Sequence, residues 1–223
     1  NDDGTYSIRN VVCADEYAEG VDDNAFTNGS AMRALQAASK AAALCGEKAP
    51  AIWNTIAASL RIPRFEDGTT REYEDYDGRI IKQADANLLA YPLGLVTNTE
   101  EIRRDLAYYE PRIDAGPAMS YSILALQHAR LGDGGKAYEL FSRSYQPNRV
   151  APFGVTAEYA GTDNCYFATG AGGMLQAVIN GFCGLEITDK GIIQLPSALP
   201  AHWKRVTVKG AGPGRKNYTK ENR

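Results

Sequence analysis

Apolar positions recur at helical spacing through most of this chain and change to strand-like spacing only near its end. Residues 24–45 are rich in Ala, with Met32, Leu35, Ala38 and Ala42 on one stripe and Gly46 as a stop signal. The pattern predicts one long helix. Pro50 suits the first turn of a helix and opens a second over 51–60, where Ile52, Ile56 and Leu60 share a face. Residues 61–78 are polar, carry Glu72-Tyr73-Glu74-Asp75-Tyr76, and read as a loop long enough to be functional. Helical patterns resume over 83–91, 99–110, 117–131 and 135–145. A second long loop covers 146–169, and a Gly-rich helix follows over 170–182.

From Gly184 the period shortens. Leu185–Thr188, Ile192–Leu195 and Val206–Val208 are short, β-branched and bounded by Gly or Pro, which predicts strands. Residues 211–223, rich in Gly, Lys and Asn, read as a disordered tail. The chain is thus mainly α with a small β segment at its end. Helices joined alternately by short turns and long loops suit an α/α toroid, whose long loops gather at one end and build a site there. These helices are too few to close such a ring. The chain also opens on Asn1-Asp2-Asp3-Gly4 without an initiator Met, so it is expected to be a piece of a longer protein, with any targeting segment upstream.

Composition narrows the chemistry. A length of 223 residues allows one large domain or two small ones, and a hydrophobic content of 44% is enough to bury a core. The formal net charge of -3 provides no basic face for nucleic acid. No apolar run approaches the roughly 20 residues that span a bilayer, so no membrane partner is expected. Cys13, Cys45, Cys165 and Cys183 are widely spaced without a CxxC pair, and the histidines are His128 and His202 alone; no metal or other cofactor is expected. Cys165 has no neighbouring His and reads as buried rather than nucleophilic. Ser120 and Ser122 lie in a helical pattern with no partner to activate them. The run Gly170-Ala171-Gly172-Gly173 lacks GxGxxG spacing and follows no strand, so close helix packing is the better reading. The glycosylation sequons at Asn28 and Asn217 are common chance matches.

Three candidates for chemistry remain. Asp15, Glu16, Glu19, Asp22 and Asp23 crowd ahead of the first helix, where mutual repulsion means that they are either solvated or used. Glu16, following the apolar Val11-Val12-Cys13, is the one expected to be partly buried, with a raised pKa and a proton to give as a general acid. Lys82-Gln83-Ala84-Asp85 places several donors and an acceptor side by side, which suits sugar hydroxyls; the plainer alternative is a helix start with Asp85 favoured by the helix dipole. Glu158, in the second long loop, is set between apolar residues ahead of the Gly-rich helix. For both glutamates the plain alternative is a solvated surface acid. Two carboxylates in long loops, with a Lys-Gln pair between them, point to glycoside chemistry. Inverting cleavage needs one protonated carboxyl and one carboxylate about 6.5 to 9.5 Å apart, with the activated water between.

Asp15-Glu16-Tyr17 with Val21-Asp22-Asp23-Asn24 and Phe26-Thr27-Asn28 resembles the general-acid segment of glycoside hydrolase family 65. Lys82-Gln83-Ala84-Asp85 resembles that family's sugar-binding motif, and Gly170-Ala171-Gly172-Gly173 its following inner helix. The resemblance runs from about Ile8 to Gly210. It implies an (α/α)6 catalytic barrel, of which residues 1–183 would supply the second half, with 184–210 starting a small C-terminal β domain.

The family holds inverting phosphorylases and inverting hydrolases. Its phosphorylases carry a Ser/Thr-rich phosphate loop roughly where this chain has Ile113-Asp114-Ala115-Gly116-Pro117-Ala118-Met119-Ser120, without that hydroxyl cluster. The resemblance therefore favours a hydrolase of the kojibiose hydrolase or acid trehalase type, releasing β-glucose from an α-glucoside. It implies Glu16 as general acid, Glu158 as general base, and Lys82 and Gln83 as glucosyl-binding residues. Two alternatives stand beside this: a disaccharide phosphorylase of the same family, and a non-catalytic carbohydrate-binding subunit. Expected partners are an α-linked glucose disaccharide and the missing N-terminal half or a second chain, with a homodimer compatible. Compartment stays open, a periplasmic or secreted location being favoured.

Overall fold

A computed structural model describes residues 1–115, 118–164 and 166–222. The chain divides into two compact units, residues 1–114 and 115–223, and each is built separately.

In the first unit, Asn24 starts helix α1 (Ala25–Leu44): its side-chain oxygen accepts the Thr27 N–H at 2.8 Å, satisfying one of the donors that a helix start leaves open. Gly46, at a φ of +75°, follows the end of the helix, in the backbone region open to glycine. Met32, Leu35, Ala38 and Ala42 are half-buried while Arg33, Gln36, Ala37 and Lys40 are exposed, the single apolar face that the spacing predicts. Helix α2 (Ala51–Ser59) packs against α1. Ile56 and Leu60 turn inward, but Ile52 is exposed. Helix α3 (Thr99–Tyr109) starts on Asn98, which accepts the N–H groups of Glu100 and Glu101.

Residues 61–78 form the long loop expected, without helix or strand, but not a solvent-facing one: Thr69, Thr70, Glu72, Tyr73 and Tyr76 are buried. Tyr76 and Tyr109 stack with ring centres 6.0 Å apart, and Phe65, Tyr73 and Tyr108 pack around them. The hydroxyls of Tyr76 and Tyr109 donate to the carbonyls of Arg79 and Thr70 at 2.6 and 2.7 Å, so the rings bury their area without orphaning a polar tip. The helix expected over 83–91 is corrected: only Ala86–Leu89 form a 3₁₀ turn. Asp85 takes donors from distant backbone instead of capping the turn, and Pro92 closes the segment through a cis bond to Tyr91.

The second unit pairs helix α4 (Met119–Arg130) with α5 (Gly134–Arg143), the latter started by Asp133, whose side chain accepts the Lys136 N–H. Gly116 and Pro117, at the start of the predicted 117–131 helix, lie outside the described residues. The long loop over 146–169 contains a small antiparallel hairpin, β1 (Arg149–Val150) with β2 (Val155–Thr156). Helix α6 (Ala168–Gln176) runs on into a π-helical turn, Ala177–Phe182. Close packing holds for part of the Gly-rich run: a Cβ on Gly173 would run into the Ser122 hydroxyl, whereas one on Gly172 would meet open space; beyond the run, one on Gly181 would sit 2.9 Å from Leu126 Cα.

Strands β3 (Leu185–Thr188) and β4 (Gly191–Gln194) form one hairpin, and β5 (Arg205–Ala211) with β6 (Lys216–Glu221) another. The tail read as disordered thus carries a strand. Its Lys/Asn-rich composition hides an alternation in which Tyr218 and Lys220 are half-buried and their neighbours exposed. Asn217 accepts the Gly210 N–H at 3.1 Å across the bulged end of the pair.

Candidate active site

The crowded acids of residues 15–23 are separated by the fold. Asp15 and Asp23 are buried, while Glu16 and Glu19 are exposed. Asp23 accepts from Ser7 and Asn28 and pairs with Arg61 at 3.4 Å. Asp22 accepts the Asn10 N–H at 2.9 Å. Asp15 turns inward, its Oδ1 accepting the backbone N–H of Lys82 at 2.7 Å and that of Tyr17 at 3.2 Å. The turn Asp15-Glu16-Tyr17 is therefore fastened to the strand-like entry of Lys82.

That connection brings three of the four predicted site residues together. Glu16 forms an ion pair with Lys82, and the Gln83 side chain also reaches it. Gln83 Nε2 donates to the Ala14 carbonyl at 2.5 Å, which holds the amide under the same turn. The expectation that Glu16 is partly buried with a raised pKa is not met in this chain. Its side chain is 57% exposed, and the hydrogen bond and charge of Lys82 hold its carboxyl below the usual carboxylate range. An apolar run ahead of an acid predicts burial only if the chain continues inward, and here it turns outward after Asp15.

Glu158 belongs to the second unit. It follows β2, half-buried, and its backbone carbonyl accepts Asn148 Nδ2 at 2.9 Å. Ser122 donates its hydroxyl proton to the Met119 carbonyl at 2.6 Å. Cys165 lies outside the described residues.

Sequence reasoning missed the acids behind the turn. Asp85, read as a helix start, is fully buried; it accepts Ala14 N–H at 3.0 Å, Asn24 Nδ2 at 3.0 Å and Phe26 N–H at 3.3 Å. Glu72 is also fully buried, and neither of its carboxyl oxygens meets a donor among the described residues. The signal was faint: Asp85 sits between two alanines, and Glu72 precedes a tyrosine in a segment that looks polar as a whole. Donor atoms of Cys13, Glu72 and Asp85 lie within 4.8 Å of one another, near enough for a cation. The donor set suits one poorly: burial and the neighbouring acids disfavour the Cys13 thiolate, and Asp85 already accepts three N–H donors, leaving about one of its four lone-pair positions open.

Glu16, Lys82 and Gln83 thus meet at one turn of a mainly helical chain, and comparison with known proteins names the class. The profile of the glycosyl hydrolase family 65 central catalytic domain matches residues 1–77 and 58–149. The chain belongs to this family. It is 51% identical over 221 residues to a kojibiose hydrolase of Flavobacterium johnsoniae and 48% identical over 220 residues to one of Mucilaginibacter mallensis, matches that cover 98% of this chain and 32% of each relative. A periplasmic/secreted acid trehalase of Candida glabrata is 32% identical over 199 residues, covering 82% of this chain and 16% of that protein. Among solved structures, a candidate kojibiose phosphorylase from the human microbiome superposes with a TM-score of 0.70 at 18% identity, over 93% of this chain and 34% of that one. The likeness to that structure is one of fold. The chain spans about a third of the length of the kojibiose hydrolases it matches.

Proposed function

We propose that this chain is the C-terminal part of an inverting hydrolase that releases β-glucose from an α-glucoside such as kojibiose or trehalose. Residues 1–183 would form the second half of an (α/α)6 barrel, and the strands from 184 onward the start of a C-terminal β domain that includes β6. Glu16 protonates the glycosidic oxygen, Glu158 deprotonates the attacking water, and Lys82 and Gln83 hold the glucosyl unit.

The observation that carries this reading is the convergence of Glu16, Lys82 and Gln83 around one turn. It also supplies a way to load the acid. A sugar whose hydroxyls take up the Lys82 N–H donors displaces the hydrogen bond that most lowers the Glu16 pKa, which then rises. The names of the kojibiose hydrolases and the acid trehalase support water as the nucleophile and an α-glucoside as substrate. The remaining two thirds of a full-length protein would complete the barrel and cover apolar side chains now bare, among them Leu44, Phe153 and Tyr166.

Incubating the full-length protein with kojibiose and with trehalose, and following the first released anomer by NMR, tests the reading. β-Glucose is expected from the attacked sugar. With trehalose, inversion gives initial α- and β-glucose in equal amounts, because the attacked sugar inverts while the leaving sugar keeps its α configuration. α-Glucose alone would exclude inversion, and glucose 1-phosphate formed on adding phosphate would establish the phosphorylase. As to location, the acid trehalase relative is named periplasmic/secreted. Among the described residues no helix is long and apolar enough to cross a membrane.

A further inference from the structure

Glu72 poses a problem that the proposed reaction does not use. Its carboxyl is fully buried, meets no donor among the described residues, and lies within hydrogen-bonding reach of the Asp15 carboxyl. Asp85 and Cys13 face it from the other elements packed there, and Tyr73, Tyr76 and Tyr109 are close enough to feel its charge. Arg79 is the cation that reaches it, and Arg79 is already bound to Asp77 on the surface. Three ionised carboxylates cannot share this space without a counter-charge.

The donor count says which of them gives way. Asp85 accepts three N–H donors and Asp15 two, whereas Glu72 accepts none. A carboxyl without donors is the one that holds its proton, and a protonated carboxyl needs an acceptor.

We propose that Glu72 is a positioning residue that keeps its proton at neutral pH and donates it in a hydrogen bond to the Asp15 carboxylate. Asp15 in turn fixes the backbone N–H groups of Tyr17 and Lys82, so this bond anchors the turn that presents Glu16 and the residue that pairs with it. Burial and the charges of Asp85 and Asp15, which raise the Glu72 pKa, agree with this assignment. Its catalytic consequence, ordering of the acid-bearing turn, rests on Glu16 being the acid; the protonation of Glu72 does not.

The test uses the full-length protein with carboxyl-labelled ¹³C-glutamate and infrared difference spectroscopy at about pH 8, where ordinary carboxyls are ionised. A protonated-carboxyl band that moves with the glutamate label is expected, and it should vanish in Glu72→Gln. Asp15→Asn, which offers Glu72 an N–H donor, should remove the same band and serves if the first variant folds poorly. Absence of the band in the wild-type protein, or its persistence in both variants, overturns the proposal, as does a stoichiometric bound cation found by elemental analysis. For the catalytic consequence, Glu72→Ala should lower kcat about tenfold and Glu72→Gln, whose amide can make the bond, should recover most of it. Equal losses in the two variants overturn the positioning role. A wild-type protein without activity on α-glucosides would leave the infrared result standing and count against the proposed reaction alone.

Discussion

Asp85 Oδ2 accepts the backbone N–H of Ala14 at 3.0 Å, a bond between residues 71 positions apart. Its other oxygen takes the Asn24 amide that also starts α1. One buried carboxylate thus ties together the acid-bearing turn, the first helix and the Lys-Gln motif.

Asn24 should therefore matter beyond its cap. Its side chain satisfies the Thr27 N–H, the Glu72 carbonyl and Asp85 at once. Asn24→Ala in the full-length protein is expected to cost about 2–4 kcal/mol, more than a surface cap, because it also leaves a buried carboxylate short of a donor. Chemical denaturation measures this; a loss under about 0.5 kcal/mol would mean that the network relaxes freely.

The Glu16–Lys82 pair makes a prediction that needs no substrate. With the ammonium gone in Lys82→Met, the Glu16 carboxyl should titrate at a higher pH than in the wild-type chain, because the shift it removes is downward. Carboxyl ¹³C NMR follows the titration directly. An unchanged midpoint would mean that solvent screens the pair completely.

On the reading of Glu16 as acid and Glu158 as base, the two variants should fail differently. Glu16→Gln is expected to lose about 10²–10⁴ in kcat on kojibiose but far less on a glucoside whose leaving group needs no proton. Glu158→Gln should be impaired on both, since water must be activated in each case. Equal recovery of the two variants on the activated substrate would remove this division of roles.

Stability should fall as pH rises. Burial raises the carboxyl pKa values of Glu72 and Asp85 above their unfolded values, so the folded chain binds more protons than the unfolded one above the ordinary carboxylate range. Their contribution is fully present below that range and is lost as pH climbs through the raised values. Thermal melting between about pH 5 and 9 should show a declining midpoint, with a shallower decline in Glu72→Gln. Identical slopes would place the proton elsewhere.

Much of the helical scaffold was legible because its signals are local. The stripe of α1 repeats at the helical period, and Gly46 and Pro50 mark where α1 stops and α2 begins. The meeting of Glu16 with Lys82 and Gln83 was legible only as a resemblance, because nothing local joins residues 66 positions apart. What stayed hidden depends on tertiary bonds. Thr69 to Tyr76 look polar, yet Thr69, Thr70, Glu72, Tyr73 and Tyr76 are buried while Asp75 stays exposed, and composition alone does not show which of them turn inward. Glu16 is the converse case: the acid expected to be sheltered is the exposed one, and its neighbour Asp15 took the buried place.

The hairpin of β5 and β6 and the acid-rich turn share a lesson about tolerance to change, and the turn shows it more sharply. Its five acids look interchangeable when read as letters. Folded, they alternate between anchors and free ends: Asp15 and Asp23 hold backbone and side-chain donors inside, while Glu19 faces solvent. A saturation library across residues 15–23 would return a comb rather than a plateau, with positions a few residues apart at opposite extremes of permissiveness, and the teeth of that comb would map which way each carboxylate points.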